Sequence, residues 1–326
     1  MYDYLLPEQR EAFAKAEKEY AEAKQKYLAE ARKYGFFANK DLLSSPPVRR
    51  AAYSDRTAWA MACMAQLAYY PFEVDDVSLA LFVSKLDSGG FTLVEKFDVR
   101  GTQAFLAQNE IYAVLAFRGT EKNWRDVQAD LRTYRRKTEG GRVHAGFYDA
   151  YGLISQRVRE KLAEVEHLPL YITGHSLGGA LATIATQDLE KSGFKDQIAA
   201  CYTYGSPRVG NAFFDATIKS PIYRIINFID IVTFVPLLAM GFIHVGDLRY
   251  LNRGFPNQVR RWLPLSQRVY FLLSLFSLLV PAIGAHGIQN YVDKLERIAL
   301  GENVGLMVAI AQKENEQYNQ IEQSKH

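Results

Sequence analysis

Between residues 146 and 230 the chain switches hydrophobic period repeatedly. "GFYDAYGLISQRVREKLAEV" has helical spacing, "LPLYIT" is a short apolar strand, and "GALATIATQDLEKSG" is helical again. "QIAACYTYG" and "IYRIINFI" are strands. Strands separated by helix-length segments do not pair as tight hairpins; each requires a crossover whose helix then covers the sheet. The pattern predicts an α/β domain with a mostly parallel central sheet flanked by helices. Upstream, "RTAWAMACMAQLAYY" reads as a helix, and "FTLVEKFDV", "TQAFLAQN" and "IYAVLAFRG" read as strands. A chain of 326 residues, 48% of them hydrophobic, can bury a full core in one large domain or two ordinary ones. Its formal net charge of +3 is too slight to indicate nucleic acid, and no nucleic-acid-binding motif is present.

One strand-to-helix junction carries chemistry. In "YITGHSLGGALATIA", residues 171–185, Gly174 and Gly178 flank Ser176 where a strand meets a helix. By composition alone a G-x-S-x-G pattern arises in about one chain in ten of this length, so the flanking strand and helix give it weight. Glycines at those positions let strand and helix close on each other and push the serine to the tip of the turn. A serine hydroxyl is a poor nucleophile until a base takes its proton, and the base needs a carboxylate to orient it. In this chain order the carboxylate and then the histidine follow the serine. The histidines after Ser176 are His244, His286 and His326, the last on a polar tail. Asp230, just past "IYRIINFI", and Asp247 compete for the acid; His286, in the loop "GAHG", and His244 compete for the base. The amide of Leu177 follows the nucleophile, and "AVLAFRGTE" ends a strand at Arg118, Gly119 and Thr120, where a second oxyanion donor belongs.

Seven blocks occur in order across residues 56 to 300: "TQAFLAQNEIYAVLAFRGTE", "WRDVQADL", "VHAGFYDAY", "ITGHSLGGALA", "YTYGSPRVGN", "NFIDIVTFVP" and "AHGIQNYV". Together they resemble the class 3 lipases, the α/β-hydrolase family of fungal triacylglycerol lipases and their plant and bacterial relatives. The resemblance implies Ser176 as nucleophile, Asp230 as triad acid and His286 as base. It also implies Thr120 and Leu177 as oxyanion donors with Asp130 orienting Thr120, and structural roles for His144 and His175. Ala285 stands where many members have an aspartate before the base. The implied activity is hydrolysis of lipid carboxylic esters, of triacylglycerol-lipase or phospholipase A type. The alternatives are an inert lipase-like lipid-binding protein and a soluble-substrate esterase or thioesterase. No metal or organic cofactor is implied.

Outside the matched core, residues 1–45 read as one long amphipathic helix, with Phe13, Tyr20, Tyr27 and Tyr34 at seven-residue intervals. The hydrolase domain is expected over 46–311, with a polar tail at 312–326. Within the interfacial candidate 262–284, the run from Val269 to Gly284 is intensely apolar yet shorter than a bilayer span, and Arg260, Arg261 and Trp262 precede that run. With the basic run from Arg132 to Lys137 it has the make-up of a lid or a docking element for a lipid–water interface or membrane surface. Charges in the first twenty residues interrupt any signal-peptide core, so a cytoplasmic or peripheral-membrane location is expected. Cys63 and Cys201 are expected as buried, apolar thiols.

Overall fold

In the computed structural model, residues 51–119, 135–227, 230–236, 238–251, 259–260 and 286–300 are described. The expectations for 1–45, Thr120, Asp130, Arg132, 262–284 and 312–326 lie outside those residues.

The first helix, α1 (Asp55–Leu67), is capped by Ser54, whose hydroxyl accepts from the Thr57 amide, and carries Asp55 in its first turn. Apolar residues surround almost its whole circumference, which marks a buried helix. α2 (Asp76–Ser88) follows, capped by Asp75. Three strands then meander: β1 (Thr92–Val99), β2 (Thr102–Gln108) and β3 (Ala113–Phe117). β4 (Arg135–Thr138) and β5 (Gly141–His144) form a separate hairpin. The rest alternates: α3 (Ala145–Gly152), α4 (Ser155–Ala163), β6 (Leu170–His175), α5 (Leu177–Leu189), β7 (Ile198–Tyr204), α6 (Ala212–Thr217), β8 (Ile222–Asn227), β9 (Asp247–Leu251), β10 (Val259–Arg260) and α7 (Ile288–Ala299).

Among the described residues one eight-stranded sheet runs β1-β2-β3-β6-β7-β8-β9-β10. The step from β3 through β6, β7 and β8 to β9 is parallel throughout, and the two edges are antiparallel. β3, β6, β7 and β8 are buried along their whole length, as central strands covered on both faces must be. One core packs α1 and α7 against one face of the sheet through Trp59, Met61, Tyr204 and Tyr291. The other packs α3, α4 and α5 against the opposite face through Phe147, Leu162, Leu181 and Ile184.

Three departures from the sequence expectations have local causes. The helical stretch 146–165 is two helices, because Gly152 favours a stop and a tight turn over Leu153 and Ile154 drops Ile154 into the core. Arg135, Arg136 and Lys137, read from the sequence only as part of a basic run, lie on β4 with exposed side chains, paired across the hairpin to His144, Val143 and Arg142. α2, β9 and the β4–β5 hairpin are additions that no strong periodicity signals.

Cys63 and Cys201 are unbridged and fully buried. Burial drives the Cys63 thiol well above its ordinary range and pushes Cys201 up to about 12. Only the thiolate reacts with alkylating agents. Neither cysteine is therefore expected to take up iodoacetamide in the native protein near about pH 8, whereas both should be modified after unfolding in guanidinium, as read by intact mass.

Candidate active site

Ser176 sits between the end of β6 and the start of α5 with φ 57° and ψ −129°. A non-glycine residue in this region bears strain of order 1–3 kcal/mol, so the surroundings must impose it. They do so through backbone contact. A Cβ on Gly174 would collide with the backbone of Gly178, and one on Gly178 would collide with the Phe117 carbonyl and the backbone of Arg118. Strand, helix and the end of β3 thus meet backbone to backbone, and the serine between them is expelled from regular geometry.

Two other segments converge on it. Asp230 follows β8 and is completely buried. His286 lies immediately before α7, its side chain 19% exposed. The His286 Nε2 is 2.8 Å from the Ser176 Oγ. Its Nδ1 lies 3.0 and 2.9 Å from the two Asp230 carboxylate oxygens. A carboxylate only accepts, so Nδ1 carries the ring proton and the Nε2 lone pair faces the serine hydroxyl.

The carboxylate is held from three directions. Besides His286, the Val232 amide donates to Oδ1 at 3.0 Å and the Tyr291 hydroxyl donates to Oδ2 at 2.5 Å. Tyr291 accepts in turn from the Asn227 amide at 3.1 Å. Burial first, and then Asp230 beside it, raises Tyr291 far above the ordinary phenol range, so it remains a neutral donor. Gly205, with φ +56°, lines the same point: a Cβ there would collide with the Asp230 carboxylate and come within 2.9 Å of the His286 Nδ1. Sequence reasoning missed both residues. Tyr291 had a readable signal, a tyrosine in the first turn of the helix that follows the histidine.

The competing candidates lie elsewhere. His244 is half-buried and lowered well below the usual imidazole range, by desolvation and then by Arg224 and Arg208, and the Ser176 hydroxyl meets His286 instead. Asp247 begins β9 with an exposed side chain 3.7 Å from Arg249. Leu177 opens α5, where the first amides of a helix have no intrahelical partner and the helix dipole favours negative charge. Thr120 and Asp130 lie outside the described residues, though Gly119, next to Thr120, packs beside the elbow: a Cβ there would come 2.6 Å from the His175 carbonyl. His144 stacks on Phe147 with ring centroids 4.2 Å apart, and His175 faces away from the serine hydroxyl toward Tyr69.

Residues 114–240 match the family model described as Lipase (class 3). Over those residues the chain is similar to the class 3 lipases. A lipase of Rhizomucor miehei is 32% identical over 172 residues, 49% of this chain and 47% of that protein. A chloroplastic phospholipase A(1) of Arabidopsis thaliana is 36% identical over 144 residues, 40% of this chain and 32% of that protein. The chain thus spans about half or less of the length of these relatives. A solved triacylglycerol lipase, whose catalytic centre is described as a serine protease triad, aligns with a TM-score of 0.55 and 26% identity. That alignment covers 64% of this chain and 84% of the other. The fold is therefore that of an α/β-hydrolase, with the mostly parallel sheet described above.

Two substitutions probe this arrangement. Tyr291→Phe removes a hydrogen bond to a buried carboxylate and is expected to lower stability by about 2 kcal/mol in urea denaturation. Gly174→Ala, whose new methyl has only backbone to push against, is expected to cost at least about 2 kcal/mol by the same measurement.

Proposed function

We propose that the protein is a serine carboxylic ester hydrolase that cleaves acyl esters of glycerolipids. The observation that carries this reading is the unbroken hydrogen-bonded chain from Asp230 through His286 to the strained Ser176. His286 Nε2 takes the Ser176 proton as Oγ attacks the ester carbonyl carbon. The carbonyl electron pair moves onto oxygen, where the Leu177 amide and a donor from Thr120 receive it. As the tetrahedral centre collapses, the imidazolium returns its proton to the departing alcohol oxygen and the acyl-enzyme remains. Water, deprotonated by the same imidazole, attacks that ester; collapse releases the carboxylic acid and returns the proton to Oγ. Asp230 holds the Nδ1–H tautomer and faces the positive charge that forms on the ring, and Tyr291 and Val232 hold Asp230.

The relatives named lipase and phospholipase A(1) support a lipid ester over a small soluble one. Peripheral attachment at a lipid–water interface belongs to the same proposal, supported by the exposed Arg135, Arg136 and Lys137 and by the apolar composition of 262–284. Salt-sensitive sedimentation with anionic rather than neutral vesicles is the expected behaviour. Among the described residues no helix is long and apolar enough to cross a membrane.

Wild type and Ser176→Ala are to be assayed side by side on triacylglycerol, phospholipid and lysophospholipid emulsions. Ser176→Ala should lose kcat by about 10⁴-fold or more while melting normally, and should no longer react with a fluorophosphonate. Asp230→Asn, which permits the wrong imidazole tautomer, should lose about 10⁴-fold as well. Turnover by Ser176→Ala near the wild-type rate would overturn the assignment.

A further inference from the structure

A carboxylate on Nδ1 orients an imidazole ring, but only relative to wherever the histidine backbone lies. The His286 backbone has its own anchor. Its carbonyl oxygen is 2.6 Å from the His175 Nε2, and the two rings lie with centroids 4.5 Å apart. His175 is the residue immediately before the nucleophile, so one side chain ties the peptide of the base to the peptide of the elbow.

The proton on that contact can be placed. A carbonyl only accepts, so His175 must carry its hydrogen on Nε2, leaving the Nδ1 lone pair outward. The Tyr69 hydroxyl meets that lone pair at 2.8 Å. Burial, and then the adjacent His286, hold His175 well below the usual imidazole range, so it stays neutral beside the base.

Tyr69 is fixed in turn. Arg118, at the end of β3, donates from Nε to the Ala68 carbonyl at 2.5 Å, pairs with Glu73, and lies over the Phe72 ring at 4.9 Å. This clamps the 68–73 segment onto β3. The same Tyr69 hydroxyl occupies the space that a side chain on Gly119 would need. The network thus runs from the exit of β3, through Tyr69 and His175, to the backbone of His286.

We propose that Tyr69 and His175 are positioning residues that set the distance between base and nucleophile through the His286 backbone, where Asp230 acts through its ring. Without the phenol, the Nδ1–H tautomer of His175 becomes available and turns a lone pair toward the His286 carbonyl. Repulsion then displaces the base from Ser176. This inference rests on the hydrolase reading for its kinetic consequence and on geometry alone for its spectroscopic one.

The test uses the full chain as wild type, Tyr69→Phe, His175→Leu and His175→Gln. A soluble p-nitrophenyl ester supplies kcat and KM, and the rate of labelling by a fluorophosphonate reports nucleophile activation. Tyr69→Phe should lower kcat and labelling rate together by about tenfold, with KM within about twofold, since misplacing a reacting group acts on the transition state. His175→Leu should lose about 100-fold, and His175→Gln, whose amide can still donate to the carbonyl, should recover most of it. Unfolding midpoints within about 2 °C of wild type would exclude a merely structural loss. Nitrogen-15 correlation spectra of the imidazoles supply a readout without turnover. His175 should appear as the Nε2–H tautomer, and Tyr69→Phe should shift the His286 Nδ1 proton resonance. An unchanged resonance, wild-type kcat in Tyr69→Phe, or a loss confined to KM would overturn the proposal. A wild type that neither turns over nor labels, yet shows the expected resonances and their shift, would instead sink the hydrolase reading and leave the relay standing.

Discussion

The site depends on a close approach of backbones at the head of α5. Gly174, Gly178 and the carbonyl of Phe117 occupy one small volume, and there is no room in it for a Cβ. The contact forces Ser176 to φ 57° and puts the Leu177 and Gly178 amides in the first turn of a helix, where no preceding turn accepts from them. Strain, the placement of the serine and an anion-favouring helix end all follow from one packing constraint. The burial of β3, β6 and β7 between two layers of helices keeps that constraint from relaxing.

A buried carboxylate is costly unless every lone pair it exposes is met. Asp230, with no exposure at all, meets this condition through Val232, Tyr291 and His286. Val232 comes from the turn after β8, His286 from just before α7 and Tyr291 from α7 itself, so docking of α7 on α1 and the sheet brings imidazole and phenol to the carboxylate. The fit around the carboxylate is tight enough that Gly205 cannot be enlarged. The hydrogen bonds that stabilise the carboxylate also hold the imidazole, and the core that buries Tyr291 supplies one of them.

Much of the site was readable before any coordinates. The glycine spacing around Ser176, the strand before it and the helix after it leave few other physical explanations. Asp230 and His286 were placed by chain order and by resemblance, with Asp247 and His244 as competitors that residue chemistry alone did not eliminate. Tyr291, Tyr69 and His175 were not found in these roles, because each acts through a partner more than 60 residues away. α2 and β9 were missed for a related reason. Their segments carry exposed apolar or charged residues, such as Val77 and Asp247, that blur the period.

The amino-acid sequence by itself determined the class of fold and the position of the strained serine between strand and helix. Both are local properties: a hydrophobic period is set by residues a few positions apart, and the elbow by five consecutive ones. Only the tertiary structure decided which histidine faces Ser176 and which aspartate faces that histidine. Hydrogen bonds between side chains 56 and 110 residues apart depend on angstrom-scale placement by sheet register and helix docking, and no local pattern encodes that distance.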